Sequence, residues 1–220
     1  MSKLQQNLVQ VHVLRRIYLL VALLLTSLTF AGVTKLGWTN WDDNFYVYEN
    51  ELVANADFQG IFGSTVIGNY NPLPIATFAL EWQLVGDKSW LYHFDNLWMH
   101  LVCTALVFWL MGMLGIRPLW AGFAALMFGI HPMHVESVAW VTERKDVLYG
   151  MFYLGSLVAY LHFRKYRSKA WYALCLVLFV LALFSKIQAV TLPLTMLLLD
   201  AYLDRTWPTK DWLTKVPFFL

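Results

Sequence analysis

The chain has 220 residues, of which 59% are hydrophobic and only 14% are charged, and its formal net charge is +2. Soluble domains carry roughly 45–50% apolar and about 25% charged residues, so this chain has too little polar surface to cover a globule in water. The composition excludes a soluble protein and predicts an integral, all-α, multi-pass membrane protein. We expect no nucleic-acid partner.

Apolar stretches predict six transmembrane helices. They lie at 17–33, 97–116, 119–130, 147–163, 171–184 and 187–203. A membrane-crossing helix needs ~20 apolar residues, so the third and fifth stretches must extend through polar residues or end inside the bilayer. A further apolar run at 216–220 predicts the start of a seventh span. We therefore interpret 1–220 as a single and incomplete N-terminal membrane domain.

The first apolar stretch is too long for the core of a cleaved signal peptide, which has roughly 7–15 residues, so an uncleaved signal-anchor is predicted. The orientation follows from the cations, because cytoplasmic loops are enriched in Lys and Arg. A cytoplasmic N-terminus places eleven of the sixteen inside: Lys3, Arg15, Arg16, Arg117, Arg164, Lys165, Arg167, Lys169, Arg205, Lys210 and Lys215. We favour a bacterial inner membrane over the endoplasmic reticulum as the location.

The first extracytoplasmic loop, about 35–96, is long and contains a helical pattern at 74–85. Pro74 suits a first helical position because its missing N–H would be unbonded there. Trp82 favours a helix that lies along the membrane interface; a loop helix without membrane contact is the alternative. The two cysteines, Cys103 and Cys175, fall in predicted spans and suggest neither a disulfide framework nor a metal pair.

Three polar clusters fall on the predicted extracytoplasmic side. The first is Asp42 and Asp43 among aromatic residues, the second is HPMHVESVAWVTERKD at 131–146, and the third is Lys186 between two apolar stretches. A solvated loop with local charge pairs is the alternative for the second cluster. The alternative for Lys186 is a lysine that extends its ammonium group to the interface.

The second cluster does not match a zinc motif. Its candidate ligands His131, His134 and Glu136 lack the spacing of an H-E-x-x-H helix or of a closed Cys/His set. We therefore predict no tight metal site, while assistance by a divalent ion stays open and the cofactor unknown. Together the clusters suit a reaction in which an acid takes a proton from a hydroxyl and cations stabilise a leaving phosphate.

Four segments resemble the transmembrane and tetratricopeptide-repeat protein O-mannosyltransferases and their bacterial relatives. They are WDD, YHFDNLWMHL, HPMHVESVAWVTERKDVL and FSKIQAVT, within residues 15–204. The resemblance implies a glycosyltransferase of the GT-C superfamily with a polytopic helical bundle. It also implies a polyprenyl-phosphate sugar donor, a protein hydroxyl acceptor, and inverting transfer by direct displacement.

The family motifs imply roles for individual residues. One of Asp42 and Asp43 would be the general base, while the other would orient the acceptor or brace the loop. The remaining motif positions would contact the donor phosphate or the substrate: His131, His134, Glu136, Arg144, Asp146 and Lys186. Pro132 and Ser185 belong to the same motifs.

The chain departs from the family pattern at two points. Ile187 stands where the S-K-E motif has an acid, so no carboxylate role is expected there. The tetratricopeptide repeats of about 34 residues are absent from the sequence and are expected downstream. Two other functions stay open: a transporter or flippase for a lipid-linked or anionic substrate, and a non-catalytic membrane scaffold.

Overall fold

A computed structural model describes residues 3–204 and 212–219. Within them the chain is all-α, as predicted, with ten α-helices and no β-strand. The helices are α1 (Lys3–Thr29), α2 (Glu51–Ala54), α3 (Phe58–Gly63), α4 (Pro72–Val85), α5 (Trp90–Met113), α6 (Pro118–Gly129), α7 (Val135–Ala139), α8 (Arg144–Tyr166), α9 (Lys169–Ser185) and α10 (Leu192–Asp204). Tighter 3-10 segments cover Val33–Lys35, Pro132–His134, Val141–Glu143, Ile187–Thr191 and Trp212–Phe218, and a π-helical turn covers Asn44–Tyr48.

Three helical stretches of the described chain are long and apolar enough to cross a bilayer: Gln10–Lys35, Trp90–Met113 and Ile187–Asp204. They coincide with the first, second and sixth predicted spans. Two shorter apolar helices, Pro118–Gly129 and Lys169–Ser185, coincide with the third and fifth. At ~1.5 Å per residue these reach about 18 and 26 Å, less than the ~30 Å hydrocarbon layer. The fourth predicted span, 147–163, lies within α8, which has 23 residues.

The short helix α6 is held by close contacts with α1. A Cβ atom on Gly122 would lie 2.8 Å from the Cβ of Tyr18, and one on Gly129 would clash with the hydroxyl of Thr26. Small residues of this kind let the backbones of membrane helices approach each other. His100 on α5 donates from Nε2 to the carbonyl of Gly129 at 2.8 Å. These contacts fix the end of α6, from which the second polar cluster begins.

Helices α8 and α9 form an antiparallel pair that carries the largest apolar core. Leu157 and Tyr160 of α8 pack with Cys175 and Phe179 of α9 and with Met196 of α10. Ser156 also donates to the carbonyl of Cys175 at 2.9 Å. Both cysteines of the chain are buried and free. This packing places the start of α8 beside the end of α9.

The first long loop, about 35–96, has a core of its own. Val47, Ile61 and Phe78 are among its buried side chains, together with Tyr92 and Val141 from the elements that follow. The helix predicted at 74–85 is present and begins two residues earlier, with Pro72 in its first turn. Most side chains of this helix, α4, pack into the loop core, while Leu80 and Leu84 are exposed. The loop is therefore a packed layer over one end of the bundle.

Some expectations fall on residues outside the described part. Arg205 and Lys210, used to assign the orientation, lie there, and so does Leu220 at the end of the predicted seventh span. Of that span, 216–219 are described: residues 216–218 belong to the 3-10 segment Trp212–Phe218. Phe218 is buried against Phe179, with ring centroids 5.2 Å apart.

Candidate active site

Asp43 is completely buried, and four donors surround its carboxylate. Oδ2 accepts from the backbone N–H and the hydroxyl of Thr39, each at 2.8 Å. Oδ1 accepts from the indole N–H of Trp140 at 3.0 Å and from the backbone N–H of Thr142 at 3.3 Å. An ionised carboxylate offers about four acceptor positions, and here all are used. Asp43 therefore ties the first loop to the second polar cluster.

Asp42 has a different environment. Its side chain is half-buried and makes no side-chain hydrogen bond or ion pair with the described residues. Its backbone carbonyl accepts from Tyr46 at 3.1 Å, which fixes the start of the π-helical turn. On its other side Trp41 packs on Trp140, with ring centroids 5.9 Å apart. Of the two adjacent acids, Asp42 is the one with oxygen atoms free to accept a proton.

A cavity of about 460 Å³ opens where the second and third clusters meet. His134, Asp146 and Lys186 line it together with aromatic and apolar side chains, including Phe128, Tyr149 and Tyr153. Ligand sites commonly have volumes of ~300–1,000 Å³ and combine apolar walls with a few polar groups. Asp42 and Asp43 are not among the lining residues. The first cluster, Asp42 and Asp43, thus contacts the second cluster through Trp140 but lies outside the cavity wall.

Lys186 and Asp146 form an ion pair within this cavity. The hydroxyl of Ser137 donates to the second carboxylate oxygen of Asp146 at 3.3 Å. Lys186 sits where α9 ends, in extended backbone before the segment Ile187–Thr191. Only about a quarter of its side chain is exposed, at 23%. A half-buried ammonium with one carboxylate partner can take a phosphate as a second counter-ion.

Aromatic contacts place the first loop over the C-terminal end of α9, next to Lys186. The rings of Phe62 and Tyr70 pack edge-on against Phe184, with centroids 5.7 and 6.5 Å away. The three polar clusters consequently lie at one end of the bundle.

His134 is half-buried against other aromatic rings. Its centroid lies 4.5 Å from that of Phe128 and 5.2 Å from that of His100. Burial lowers the pKa of the His134 imidazole, and the nearby His131 lowers it further. A neutral imidazole has one donor and one acceptor nitrogen. His134 can therefore hydrogen-bond a polar ligand in the cavity without adding charge.

His131 and Glu136 are both exposed and lie outside the cavity lining. His131 Nδ1 accepts from the backbone N–H of Met133 at 3.2 Å and so caps the segment Pro132–His134. Helix α6 ends just before this segment, and α7 begins just after it. The structure does not bring these two side chains to Lys186.

Arg144 is fully buried and lies outside the cavity. Its guanidinium donates to Glu81 Oε1 at 2.5 Å, Asn96 Oδ1 at 2.8 Å, the Tyr92 carbonyl at 2.8 Å and Thr77 Oγ1 at 3.1 Å. Its Cζ lies 4.4 Å from the ring centroid of Phe78. The guanidinium therefore hydrogen-bonds to groups of the protein itself, and these bonds hold α4 and α5 against the start of α8.

Glu81 and Arg144 are a coupled pair. Burial raises the pKa of the Glu81 carboxyl to about 8, against the opposing effect of the Arg144 cation. The second oxygen, Oε2, is buried and has no hydrogen-bond partner in the described chain. Removing either partner would leave the other with a buried polar group that has lost its hydrogen-bond partner.

Within the described residues, no group of three or more His, Cys, Asp or Glu side chains is arranged to hold a metal ion.

Comparisons with known proteins identify similar chains. This chain is 34% identical to protein O-mannosyl-transferase TMTC2 of Homo sapiens over 106 residues, 47% of the chain and 13% of the relative. It is 30% identical to protein O-mannosyl-transferase Tmtc2 of Drosophila melanogaster over 181 residues, 70% of the chain and 19% of the relative. It is 33% identical to protein O-mannosyl-transferase TMTC3 of Mus musculus over 92 residues, 42% of the chain and 10% of the relative.

The chain is homologous to the TMTC protein O-mannosyl-transferases. The resemblance predicted from the sequence is confirmed, over a part of each relative: the chain spans between 10% and 19% of the length of the three. No protein-family model matches the chain. No solved structure matches it either.

Sequence reasoning missed several polar residues around the TMTC-like motifs. Glu81 and Asn96, which hold Arg144, were not singled out: Glu81 lies in a stretch interpreted by its apolar pattern, and Asn96 lies in a segment used only for the family resemblance. Ser137 and Tyr153 of the cavity wall were also missed. A signal for Glu81 was present: a lone acid in an otherwise apolar helix requires a partner.

Proposed function

We propose that the protein containing this chain transfers a sugar from a polyprenyl-phosphate donor to a hydroxyl group of a protein acceptor. The observation that carries the proposal is the Lys186–Asp146 ion pair in the wall of a cavity of about 460 Å³. The names of the relatives, protein O-mannosyl-transferases, support transfer to protein and favour mannose as the sugar. A GT-C-type enzyme with its site on the extracytoplasmic side fits this arrangement.

The donor phosphate would bind at Lys186. When the bond between the anomeric carbon and the phosphate oxygen breaks, negative charge grows on the phosphate, and a positioned ammonium stabilises it. Asp146 and Ser137 hold the lysine in place before the donor arrives. His134 would hydrogen-bond the sugar or the phosphate. Exposed His131 and Glu136 would contact the substrate only from outside the cavity.

The acceptor would be activated by Asp42. The acceptor oxygen attacks the anomeric carbon, the polyprenyl phosphate leaves with the bonding electron pair, and the hydroxyl proton passes to the carboxylate. One displacement of this kind inverts the anomeric centre and forms no sugar–enzyme intermediate. Asp43 is not the base, because its four hydrogen bonds leave no free oxygen for the proton. The same bonds keep the loop in place.

Arg144 would be a positioning residue in this reaction, although its motif implied a donor contact. It holds α4 and α5 against α8, two residues before Asp146. The cytoplasmic N-terminus and the bacterial inner membrane stay predictions, and no divalent ion is assigned a role.

The test is a transfer assay with the complete protein in membranes, labelled polyprenyl-phosphate mannose and an acceptor peptide that contains Ser and Thr. General-base catalysis contributes about 10²–10⁴-fold, so Asp42→Asn should reduce transfer by that factor. Glu49→Gln, an exposed acid in the same loop, is the matched control and should retain transfer. Equal transfer by wild type and Asp42→Asn would refute the general base, and no transfer by wild type would favour a non-catalytic scaffold.

A further inference from the structure

A second and larger cavity, of about 800 Å³, lies at the other end of the bundle. Its walls include residues 161–166 at the end of α8, whereas Asp146 is near the start of that helix. At ~1.5 Å per residue, Asp146 and Arg164 are about 27 Å apart along α8. The cavity is therefore separate from the candidate active site, and the proposed glycosyl transfer leaves it unexplained.

The polar part of this cavity is basic. Arg15, Arg164 and Lys165 line it together with His162, and no acidic side chain is among the lining residues. Arg15 comes from α1 and the other three from the last turns of α8, so two helices contribute cations to one space. Arg164 is paired with Asp200 and Asp204, so the unbalanced positive charge comes from Arg15 and Lys165, and that charge attracts an anion.

Arg164 gives a second and independent indication. Its Nη2 donates to both oxygens of Asp204 at 2.7 and 2.8 Å, and its Nε lies 3.2 Å from Asp200 Oδ1. Its Nη1, however, is buried and has no hydrogen-bond partner among the described residues. A buried N–H without an acceptor costs about 1–3 kcal/mol and more on a charged group. Arg164 therefore keeps donor capacity beside the cavity after it has bound both acids of α10.

The rest of the cavity is apolar and aromatic. Leu19, Phe108 and Trp109 line it, followed by Met113 and Ile116 near the end of α5. His162 stacks on Trp171 with centroids 4.4 Å apart, and its Nδ1 donates to the Val158 carbonyl at 2.9 Å. That bond leaves Nε2 available to a ligand. A basic end joined to an apolar wall fits an amphiphile with an anionic head.

The geometry points to a binding site for the phosphate headgroup of an anionic membrane lipid. The phosphate is held by Arg15 and Lys165, with Arg164 beside them, while an acyl chain lies along Trp109 and the neighbouring apolar residues of α5. Basic pockets between membrane helices bind acidic headgroups in this way. A free phosphate ion would use the cations but not the apolar wall.

The experiment is a lipid titration of the full chain in neutral detergent, followed by native mass spectrometry. The probes are dioleoyl phosphatidylglycerol, zwitterionic dioleoyl phosphatidylcholine and inorganic phosphate. We expect phosphatidylglycerol to bind more tightly than phosphatidylcholine, with inorganic phosphate unable to displace it. Displacement by an equal concentration of inorganic phosphate, or equal affinity for the two lipids, would overturn the lipid site.

Variants locate the site. Arg15→Gln and Lys165→Gln change exposed side chains, and each should weaken phosphatidylglycerol binding by about five-fold, the effect of one cation near a lipid headgroup. Arg16→Gln is the matched control, because Arg16 is the exposed neighbour outside the cavity lining, and it should leave the affinity unchanged. Equal losses in all three variants would indicate general surface charge and refute the site.

A space-filling variant tests the apolar part without a change of charge. A Cβ atom on Gly112 would meet no atom within 4 Å apart from its chain neighbours and the backbone of its own helix, and Gly112 lines the cavity, so Gly112→Phe can place its ring there. It should reduce phosphatidylglycerol binding while the melting temperature stays unchanged. Unaltered binding by a folded Gly112→Phe protein would show that no acyl chain occupies the cavity.

Discussion

Two adjacent acids differ because of what surrounds each of them. Asp43 accepts four hydrogen bonds, two of them from Trp140 and Thr142, which are 97 and 99 positions away in the chain. Asp42 makes no side-chain bond to the described residues. The family resemblance implied that one acid is the general base and that the other orients the acceptor or braces the loop, but it left open which acid has which role. Donors so distant in sequence are visible only once the chain is folded.

Replacement of the two acids should therefore separate stability from activity. Asp43→Asn introduces an amide NH₂ that faces donors, and hydrogen bonds to a charged group are worth about 1.5–3 kcal/mol each. We expect a clearly lower melting temperature for Asp43→Asn in detergent, while Asp42→Asn melts like wild type. The prediction fails if the two variants melt at the same temperature.

Helices α4, α5 and α8 meet at a single guanidinium. The R-x-D motif suggested that Arg144 contacts the donor, yet its side chain points into the first-loop core and binds Glu81, Asn96 and the Tyr92 carbonyl. Asp146, two positions later, lines the cavity instead. Residues two apart on a helix lie on different faces. Arg144 of the R-x-D motif therefore packs into the core, while Asp146 of the same motif faces the cavity.

The clamp predicts a large effect of its acidic partner on stability. Glu81→Ala removes the oxygen that accepts from Arg144 and leaves a buried guanidinium N–H without a partner, which costs about 1–3 kcal/mol and more because the group is charged. Glu81→Gln keeps an oxygen acceptor for Arg144 and should cost less. Glu51→Ala, at an exposed acid of the same loop, serves as the control and should unfold like wild type in a denaturant titration. A Glu81→Ala protein as stable as Glu51→Ala would show that the pair contributes nothing.

At the scale of the whole molecule, the low content of charged residues, the length of the apolar stretches and the helical spacing of apolar residues were enough to predict an all-α membrane protein and the helix at 74–85. The predicted convergence of three clusters was less complete. His134, Asp146 and Lys186 share one cavity, while His131 and Glu136 face outward and Arg144 faces inward. Hydrophobic periodicity predicts where the helices lie along the chain. Which polar side chain stays free to bind a ligand depends on its partners from other helices, and these are distant in the sequence. The basic cavity was not predicted, because its cations were interpreted only as markers of orientation.

The orientation of the whole chain can be measured separately. A cytoplasmic N-terminus places the first loop outside and the α8–α9 connection inside. We expect an N-glycosylation acceptor introduced near Asp57 to be modified in a microsomal insertion assay, and one near Ser168 to stay unmodified. Both positions lie in connections between helices of the described chain. Modification near Ser168 would reverse the orientation and place the Lys186 cavity on the cytoplasmic side.

We propose that Lys186 binds the phosphate of a lipid-linked sugar. The most direct test of this proposal is the affinity of the complete protein for polyprenyl-phosphate mannose, with Lys186→Gln compared with Lys35→Gln, an exposed lysine of the first loop. Loss of a charge-assisted hydrogen bond worth about 1.5–3 kcal/mol predicts a donor Kd at least about ten-fold weaker for Lys186→Gln. Acceptor affinity and the Lys35→Gln variant should be unchanged. An unaltered donor Kd in a folded Lys186→Gln protein would contradict the account.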